Sequence, residues 1–113
     1  MAKYGWHIIA DCFNVSKEYL TDINNVVEFL DELVKLSKST IVDRTIVPFD
    51  GDGFTMVYTL SESHISYHGW PEFKSMQIDL FTCSGDDLKS VEAKIIELFP
   101  ESEVTILPRT IVR

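Results

Sequence analysis

Residues 54–60 of this 113-residue chain read Phe-Thr-Met-Val-Tyr-Thr-Leu, an alternation of two kinds of side chain. Successive side chains of an extended strand point to opposite faces of a sheet. The segment therefore predicts a β-strand with one bulky face, formed by Phe54, Met56, Tyr58 and Leu60, and one face of smaller side chains. Residues 63–68 and 76–83 continue the alternation, which predicts two further strands.

Three more strands are expected on either side of this region. Residues 5–11 and 40–47 are rich in β-branched and apolar side chains, which favour strands. Residues 103–112 form a last strand that Pro108 interrupts, so we place it at a sheet edge. Residues 14–22 are polar and predict a loop that leads into a helix.

Two helices are predicted from apolar spacing and end signals. The first covers residues 22–36, with Thr21 or Asp22 as its N-cap. Its apolar positions follow helical spacing and mark one buried face: Ile23, Val26, Val27, Leu30, Leu33 and Val34. Ser84 caps the second helix and Pro100 ends it, while Asp86 and Asp87 in its first turn suit the helix dipole. The second helix has an apolar face of Leu88, Val91, Ile95 and Leu98.

These elements predict a single α+β domain over residues 1–113. We expect a two-layer α/β sandwich, in which a mostly antiparallel sheet carries two helices on one face. The other face of the sheet then needs a cover. A second copy of the chain would supply it and give a homodimer with four layers in the order αββα.

Composition and charge exclude several classes of protein. The 45% of hydrophobic residues can form a core without disulfides, and no apolar run approaches the roughly 20 residues of a membrane helix. The net charge of −8 argues against a nucleic-acid partner. The N-terminus does not resemble a signal peptide, so we expect a cytoplasmic protein. Cys12 and Cys83 form no disulfide framework, and the histidine spacing supports no metal site.

Residues 60–72 are unusually polar for a strand region. Two histidines, two carboxylates and three serines lie within these 13 residues. A nucleophile and a base could be present, as in a Ser-His hydrolase, but the Gly-x-Ser-x-Gly elbow of such enzymes is missing. From the residues alone, an exposed strand face without chemistry remains an alternative.

The chain resembles the prokaryotic S-adenosylmethionine decarboxylase family. The match rests on Glu-Ser-His-Ile-Ser-Tyr-His-Gly-Trp-Pro-Glu at residues 62–72, Asp-Leu-Phe-Thr-Cys at 79–83, and Gly-Trp-His-Ile-Ile-Ala-Asp at 5–11. The combination is specific, and the similarity extends over nearly the whole chain. It implies a proenzyme that cuts itself into a β chain, residues 1–62, and an α chain, residues 63–113.

The resemblance assigns the self-processing residues. Ser63 would attack the carbonyl carbon of Glu62 and form an ester, and β-elimination and hydrolysis would then leave a pyruvoyl group at residue 63. His68 matches the family's processing base. Thr55 stands where the family has a processing hydroxyl, often that of serine.

The same resemblance implies the decarboxylation site. The pyruvoyl carbonyl would form a Schiff base with the amine of S-adenosylmethionine and act as an electron sink. Cys83 matches the family's proton donor. A thiol suits this role because in water it is mostly protonated at neutral pH. Glu72 matches the residue that holds the ribose hydroxyls, and Phe49 matches an aromatic residue that stacks on adenine. The product would supply aminopropyl groups for spermidine synthesis.

Strand geometry adds an argument for a shared site. Ser63 and His68 are five residues apart, so a regular strand would place them on opposite faces and roughly 16 Å from each other. The family resemblance implies a homodimer in which Glu62, Ser63 and Cys83 of one chain meet Phe49, Thr55, His68 and Glu72 of the other.

Two departures from the family concern the substrate. Gly69 replaces a usual threonine, and we expect it to loosen the backbone beside His68. Lys74-Ser75-Met76 replaces Gly-Tyr-Ala-like residues and adds a cation near the expected site. The alternatives are therefore a pyruvoyl-dependent arginine or ornithine decarboxylase, or an unprocessed homologue that only binds.

Overall fold

A computed structural model describes residues 5–83 and 88–106 of the chain. It contains one six-stranded sheet in the order β2-β3-β4-β5-β1-β6, in which every neighbouring pair is antiparallel. The elements follow the chain as β1 Trp6–Phe13, α1 Glu18–Thr21, α2 Ile23–Leu36, β2 Ile41–Pro48, β3 Phe54–Leu60, β4 His64–Trp70, a 3₁₀ turn Pro71–Phe73, β5 Ser75–Thr82, α3 Lys89–Leu98 and β6 Glu103–Ile106. The predicted α+β class is confirmed.

The side chains of β3 are buried and exposed in the same alternation that predicts the strand. The four bulky side chains of β3 are almost fully buried, while Thr55, Val57 and Thr59 lie on the other face. Strands β4 and β5 show the same alternation, with Ile65 and Tyr67 buried on the core side. The helices share this core, since their apolar residues belong to the same buried cluster as the sheet residues.

Helix α2, the first of the two predicted helices, begins directly after its predicted cap residue Asp22. The carboxylate of Asp22 accepts a hydrogen bond from the backbone N–H of Asn25 at 3.3 Å, which satisfies one of the free donors of α2. The helix also buries Phe29, which the predicted apolar face did not include. The polar loop predicted over 14–22 was wrong in part, because the one-turn helix α1 lies within it.

Helix α3 is shorter than predicted, and the described part of β6 covers the start of the predicted last strand. Helix α3 begins at Lys89 with Leu88 as its cap residue, and it ends before Pro100 as expected. The predicted cap Ser84 and the acidic residues 86–87 lie outside the described residues. Strand β6 pairs only with β1 and so lies at the sheet edge, as predicted; residues 107–112 of the predicted strand are not among the described ones.

Both α2 and α3 pack on the buried face of the sheet, and the opposite face is open. That open face carries partly exposed polar side chains from four central strands, among them His7, Thr55, His68 and Asp79. No helix in the described part of the chain is long and apolar enough to cross a membrane.

Candidate active site

The bond between Glu62 and Ser63 lies in the tight turn that joins β3 to β4. The backbone N–H of Leu60 donates to the Ser63 carbonyl at 3.0 Å, and the Ser63 N–H faces the Leu60 carbonyl at 3.5 Å. The N–H of Ser61 donates to the Thr40 carbonyl at 3.0 Å, which ties the turn to the start of β2. Glu62 is exposed. The turn therefore presents this peptide bond at the surface on a fixed backbone.

Ser63 precedes the strand in which we expected it. Strand β4 begins at His64, so the alternation of the strand does not decide where the Ser63 side chain points. The Ser63 hydroxyl oxygen instead accepts a hydrogen bond from the backbone N–H of Cys83 at 3.0 Å. This contact leaves the hydroxyl proton available to a base. It also brings together Ser63 and Cys83, which the family resemblance assigns to the same chain of a shared site.

The two cysteines have different surroundings. Cys83 is a half-buried free thiol beside Ser63. Cys12 is fully buried in the core, and burial with the nearby carboxylate of Asp11 raises the pKa of its thiol to about 12. Cys12 therefore stays protonated at neutral pH and packs as a small apolar residue.

Thr55 and His68 meet on the open face of the sheet. They are direct partners in the β3–β4 register, and the Thr55 hydroxyl oxygen lies 3.4 Å from Nδ1 of His68. The His68 ring stacks on Trp70, with centroids 6.1 Å apart and planes at 19°. The Thr55 hydroxyl and the Trp70 ring therefore contact the imidazole from two sides. Thr55 and His68, the two residues predicted to act in processing, are in contact within one chain.

Phe49 and Glu72 line one cleft of about 440 Å³ at the end of β4. The loop before β3 is closed by a hydrogen bond from the N–H of Phe49 to the carbonyl of Gly53 at 2.9 Å. Trp70 also lines this cleft, a position that was not predicted from the sequence. Strand alternation could have found it, because residues 68 and 70 share a face.

The cleft combines aromatic and acidic groups. Phe49 is 49% exposed and Trp70 is 38% exposed, so both rings remain accessible. The carboxylates of Asp50, Asp52 and Glu72 line the same cleft. Aromatic faces and carboxylates both attract cations, so the cleft suits a cationic ligand with a flat ring.

The predicted site residues therefore form two groups within one chain. Ser63 lies just before β4 and Cys83 just after β5. Thr55 and His68 pair across β3 and β4 towards the other end of β4, beside the cleft. About five residues of extended strand separate the groups, or roughly 16 Å. The chain alone does not bring Ser63 to His68.

Gly69 has a packing reason that the sequence analysis did not predict. It is buried within regular β4 and pairs with Met76. A Cβ atom at this position would overlap the Tyr67 hydroxyl and lie 2.9 Å from its ring carbon Cζ. Tyr67 is fully buried, stacks on Phe54, and donates its hydroxyl to the Tyr19 carbonyl at 2.7 Å. Gly69 thus makes room for Tyr67, and it lies in a regularly paired stretch of β4.

Lys74 does not line the cleft. It follows the 3₁₀ turn with a left-handed backbone, φ 50°, and it borders a separate cavity with Val15 and Phe99. The expected cation is therefore absent from the described lining of the Phe49–Glu72 cleft. Of these two departures from the family, Gly69 borders the cleft and Lys74 is not among its described lining residues.

Gly69→Ala should destabilise the protein because the new methyl group meets a fixed ring. Overpacking of this kind costs about 1–3 kcal/mol. In the double variant Tyr67→Leu/Gly69→Ala the two losses should not add, since the clash is gone. Urea unfolding at equal protein concentration, in a Ser63→Ala background that keeps all chains uncut, measures the cycle. Additive losses would show that Tyr67 is not what excludes a side chain at residue 69.

Known proteins match this chain over most of its length. The family described as S-adenosylmethionine decarboxylase matches residues 6–109. The S-adenosylmethionine decarboxylase proenzyme of Hydrogenobaculum sp. is 39% identical over 94 residues, which are 82% of this chain and 69% of that protein. The proenzyme of that name from Clostridium botulinum strain Loch Maree is 36% identical over 83 residues, 73% of this chain and 72% of that protein.

A solved structure matches as well. The crystal structure of the adenosylmethionine decarboxylase from Aquifex aeolicus VF5 aligns with a TM-score of 0.76 and 28% sequence identity. The alignment covers 100% of this chain and 96% of that one. The similarity in sequence and the similarity in fold therefore point to the same proteins.

Proposed function

The chain belongs to the S-adenosylmethionine decarboxylase family, and from this premise we propose that it decarboxylates S-adenosylmethionine after cutting itself between Glu62 and Ser63. The observation that carries the proposal is the contact between Ser63 and Cys83. It joins the expected precursor of the cofactor to the expected proton donor. The proenzyme names of the relatives support a self-processing step.

The residues around position 63 suit a pyruvoyl group. The Cys83 N–H already donates to the oxygen on residue 63, and a backbone donor suits a carbonyl oxygen as well as a hydroxyl. A pyruvoyl group supplies the carbonyl that takes up the electron pair left when carbon dioxide leaves. Since residue 63 follows an exposed turn, a cut before it separates two segments without removing either from the sheet.

Processing needs a base that takes the Ser63 hydroxyl proton. We assign this role to His68, with Thr55 as the hydroxyl beside its Nδ1. The Thr55 contact and the Trp70 stack hold the imidazole in one orientation. Because Nδ1 faces Thr55, Nε2 is the nitrogen that is free to meet a hydroxyl from elsewhere.

Substrate binding is assigned to the Phe49–Glu72 cleft. Phe49 and Trp70 offer faces for the adenine ring, and the Glu72 carboxylate can accept hydrogen bonds from both ribose hydroxyls. The neighbouring Asp50 and Asp52 favour the positive sulfonium. After carbon dioxide leaves, the Cys83 thiol donates a proton to Cα.

The two separated groups of residues favour a homodimer. If the open sheet faces of two copies pack against each other, the start of β4 in one copy can lie beside the end of β4 in the other. Ser63 and Cys83 would then meet His68, Thr55 and the cleft of the partner. This arrangement would also cover the exposed Val57 and Phe13 on that face.

A direct assay tests the proposed reaction. Carbon dioxide release is measured from carboxyl-labelled S-adenosylmethionine, arginine and ornithine with the same purified protein. We expect release from S-adenosylmethionine and none above background from the two amino acids. Release from arginine or ornithine alone would contradict the assigned substrate, and no release by an uncut chain would favour a protein that only binds.

Glu72→Gln should weaken substrate binding more than turnover. The variant keeps the size of the side chain but loses the charge that strengthens hydrogen bonds to the ribose. We expect KM for S-adenosylmethionine to rise about tenfold, with kcat changed by less than about threefold. Glu28→Gln on the exposed side of α2 is the matched control and should behave as wild type. A tenfold loss of kcat with unchanged KM would show that Glu72 does not act in substrate binding.

A further inference from the structure

Two histidines on the open sheet face share one carboxylate oxygen. Nε2 of His7 lies 2.8 Å from Oδ1 of Asp79, and Nε2 of His64 lies 3.4 Å from the same atom. An ionised carboxylate only accepts hydrogen bonds, so each imidazole meets it through an N–H. The roles proposed above use none of these three residues.

Phe81 holds the two imidazoles in place. His7, Phe81 and His64 are direct neighbours across β1, β5 and β4. The His7 ring meets Phe81 edge to face at 6.1 Å between centroids, and the His64 ring lies 6.0 Å from it on the other side. The carboxylate of Asp79 therefore meets two imidazoles that both contact the ring of Phe81.

The cluster is attached to both segments that carry the reacting residues. His64 directly follows Ser63, and Phe81 precedes Cys83 by two residues on β5. The Cys83 N–H in turn holds the Ser63 hydroxyl. A shift of β4 against β5 at this end would therefore move Ser63 relative to Cys83, and the Asp79–His64 contact opposes such a shift.

Cleavage makes this restraint more important. Once the bond before residue 63 is cut, residue 63 becomes a chain end, and chain ends fray unless side chains tie them down. His7 would then belong to the β chain, whereas His64 and Asp79 would belong to the α chain. Their hydrogen bonds would join the two products one residue from the reacting group.

We propose that Asp79, together with His7, is a positioning residue that holds His64 and thereby keeps residue 63 aligned with Cys83. This inference rests on the proposed function. Asp11 is another charged group on the open face, and it accepts a hydrogen bond from Gln77 at 2.8 Å. That pair also joins β1 to β5 but lies further from Ser63, so it provides a matched control.

The experiment compares four purified variants with wild type for the rate of self-cleavage and for kcat and KM with S-adenosylmethionine. Asp79→Leu and His7→Leu remove one partner each. We expect about tenfold slower cleavage and about tenfold lower kcat, with KM within about twofold, because misalignment affects the reacting atoms and not the cleft. His7→Gln keeps an N–H donor and should restore most of both rates. Asp11→Leu should match wild type.

Circular dichroism shows which variants are folded. If Asp79→Leu does not fold, the pair His7→Leu and His7→Gln decides the matter. Folded leucine variants with cleavage and kcat within twofold of wild type would overturn the positioning role, as would an equal defect in His7→Gln and His7→Leu. A wild-type chain that is never cut would instead overturn the proposed function and this inference with it.

Discussion

Co-expression of a Ser63→Ala chain with a His68→Ala chain should restore cleavage that neither variant shows alone. In a two-fold symmetric dimer with shared sites, a mixed dimer contains one complete site and one site that lacks both residues. The complete site joins Ser63 of the His68→Ala chain to His68 of the Ser63→Ala chain. Random assembly gives mixed dimers for about half of all dimers, so about half of the His68→Ala chains should be cut.

The measurement is intact mass of the co-purified chains, which differ in mass and can be counted separately. The Ser63→Ala chain should stay whole throughout. A second co-expression, Ser63→Ala with Cys83→Ala, provides the control, because Ser63 and Cys83 are in contact within one chain. Decarboxylation should not be restored there, since each site would still lack one residue of that group. Failure of the first pair, in mixed dimers proven to form, would place the whole site within one chain.

Ser63→Ala alone should abolish both cleavage and decarboxylation. Alanine has no hydroxyl to attack the Glu62 carbonyl. The hydroxyl that accepts the hydrogen bond from the Cys83 N–H in the wild-type chain is then missing. We expect one uncut chain and no measurable carbon dioxide release. The fold should persist, since residue 63 is half-buried and its backbone hydrogen bonds to Leu60 do not involve the side chain.

Ser61→Ala is the matched control for this variant. Ser61 lies in the same turn and is exposed, and its backbone N–H donates to Thr40 whichever side chain it carries. It should be cut and active at wild-type rates. Cleavage of Ser63→Ala at the same bond would contradict the mechanism, because the hydroxyl of residue 63 would then be unnecessary.

Local patterns were enough to predict most of the fold. The alternation over residues 54–60 matches the burial of β3, and the cap residue Asp22 stands at the start of α2. Helix α1 was missed because four residues between polar neighbours show no helical spacing. A long strand or helix shows a repeating apolar pattern in the sequence, whereas a helix of one turn is too short to show one.

The candidate site was less accessible to sequence reasoning. Neighbouring motif residues were enough to predict roles for Ser63, His68 and Glu72. The partners of Asp79 lie on strands 72 and 15 residues away in the sequence. Sheet register alone brings them together. Gly69 was interpreted through its own flexibility, although its reason lies in the ring of Tyr67 two residues earlier. Packing between two such residues is visible only in the structure, because neither residue alone indicates the contact in the sequence.

Intact-mass spectrometry of the freshly purified wild-type protein shows whether the chain cuts itself before Ser63. We expect two fragments that divide between Glu62 and Ser63, the second without a free amino group at its first residue. Mild incubation should convert any remaining full-length chain into the same pair. A single species of 12.9 kDa that persists on incubation, or a cut at another bond, would contradict this expectation.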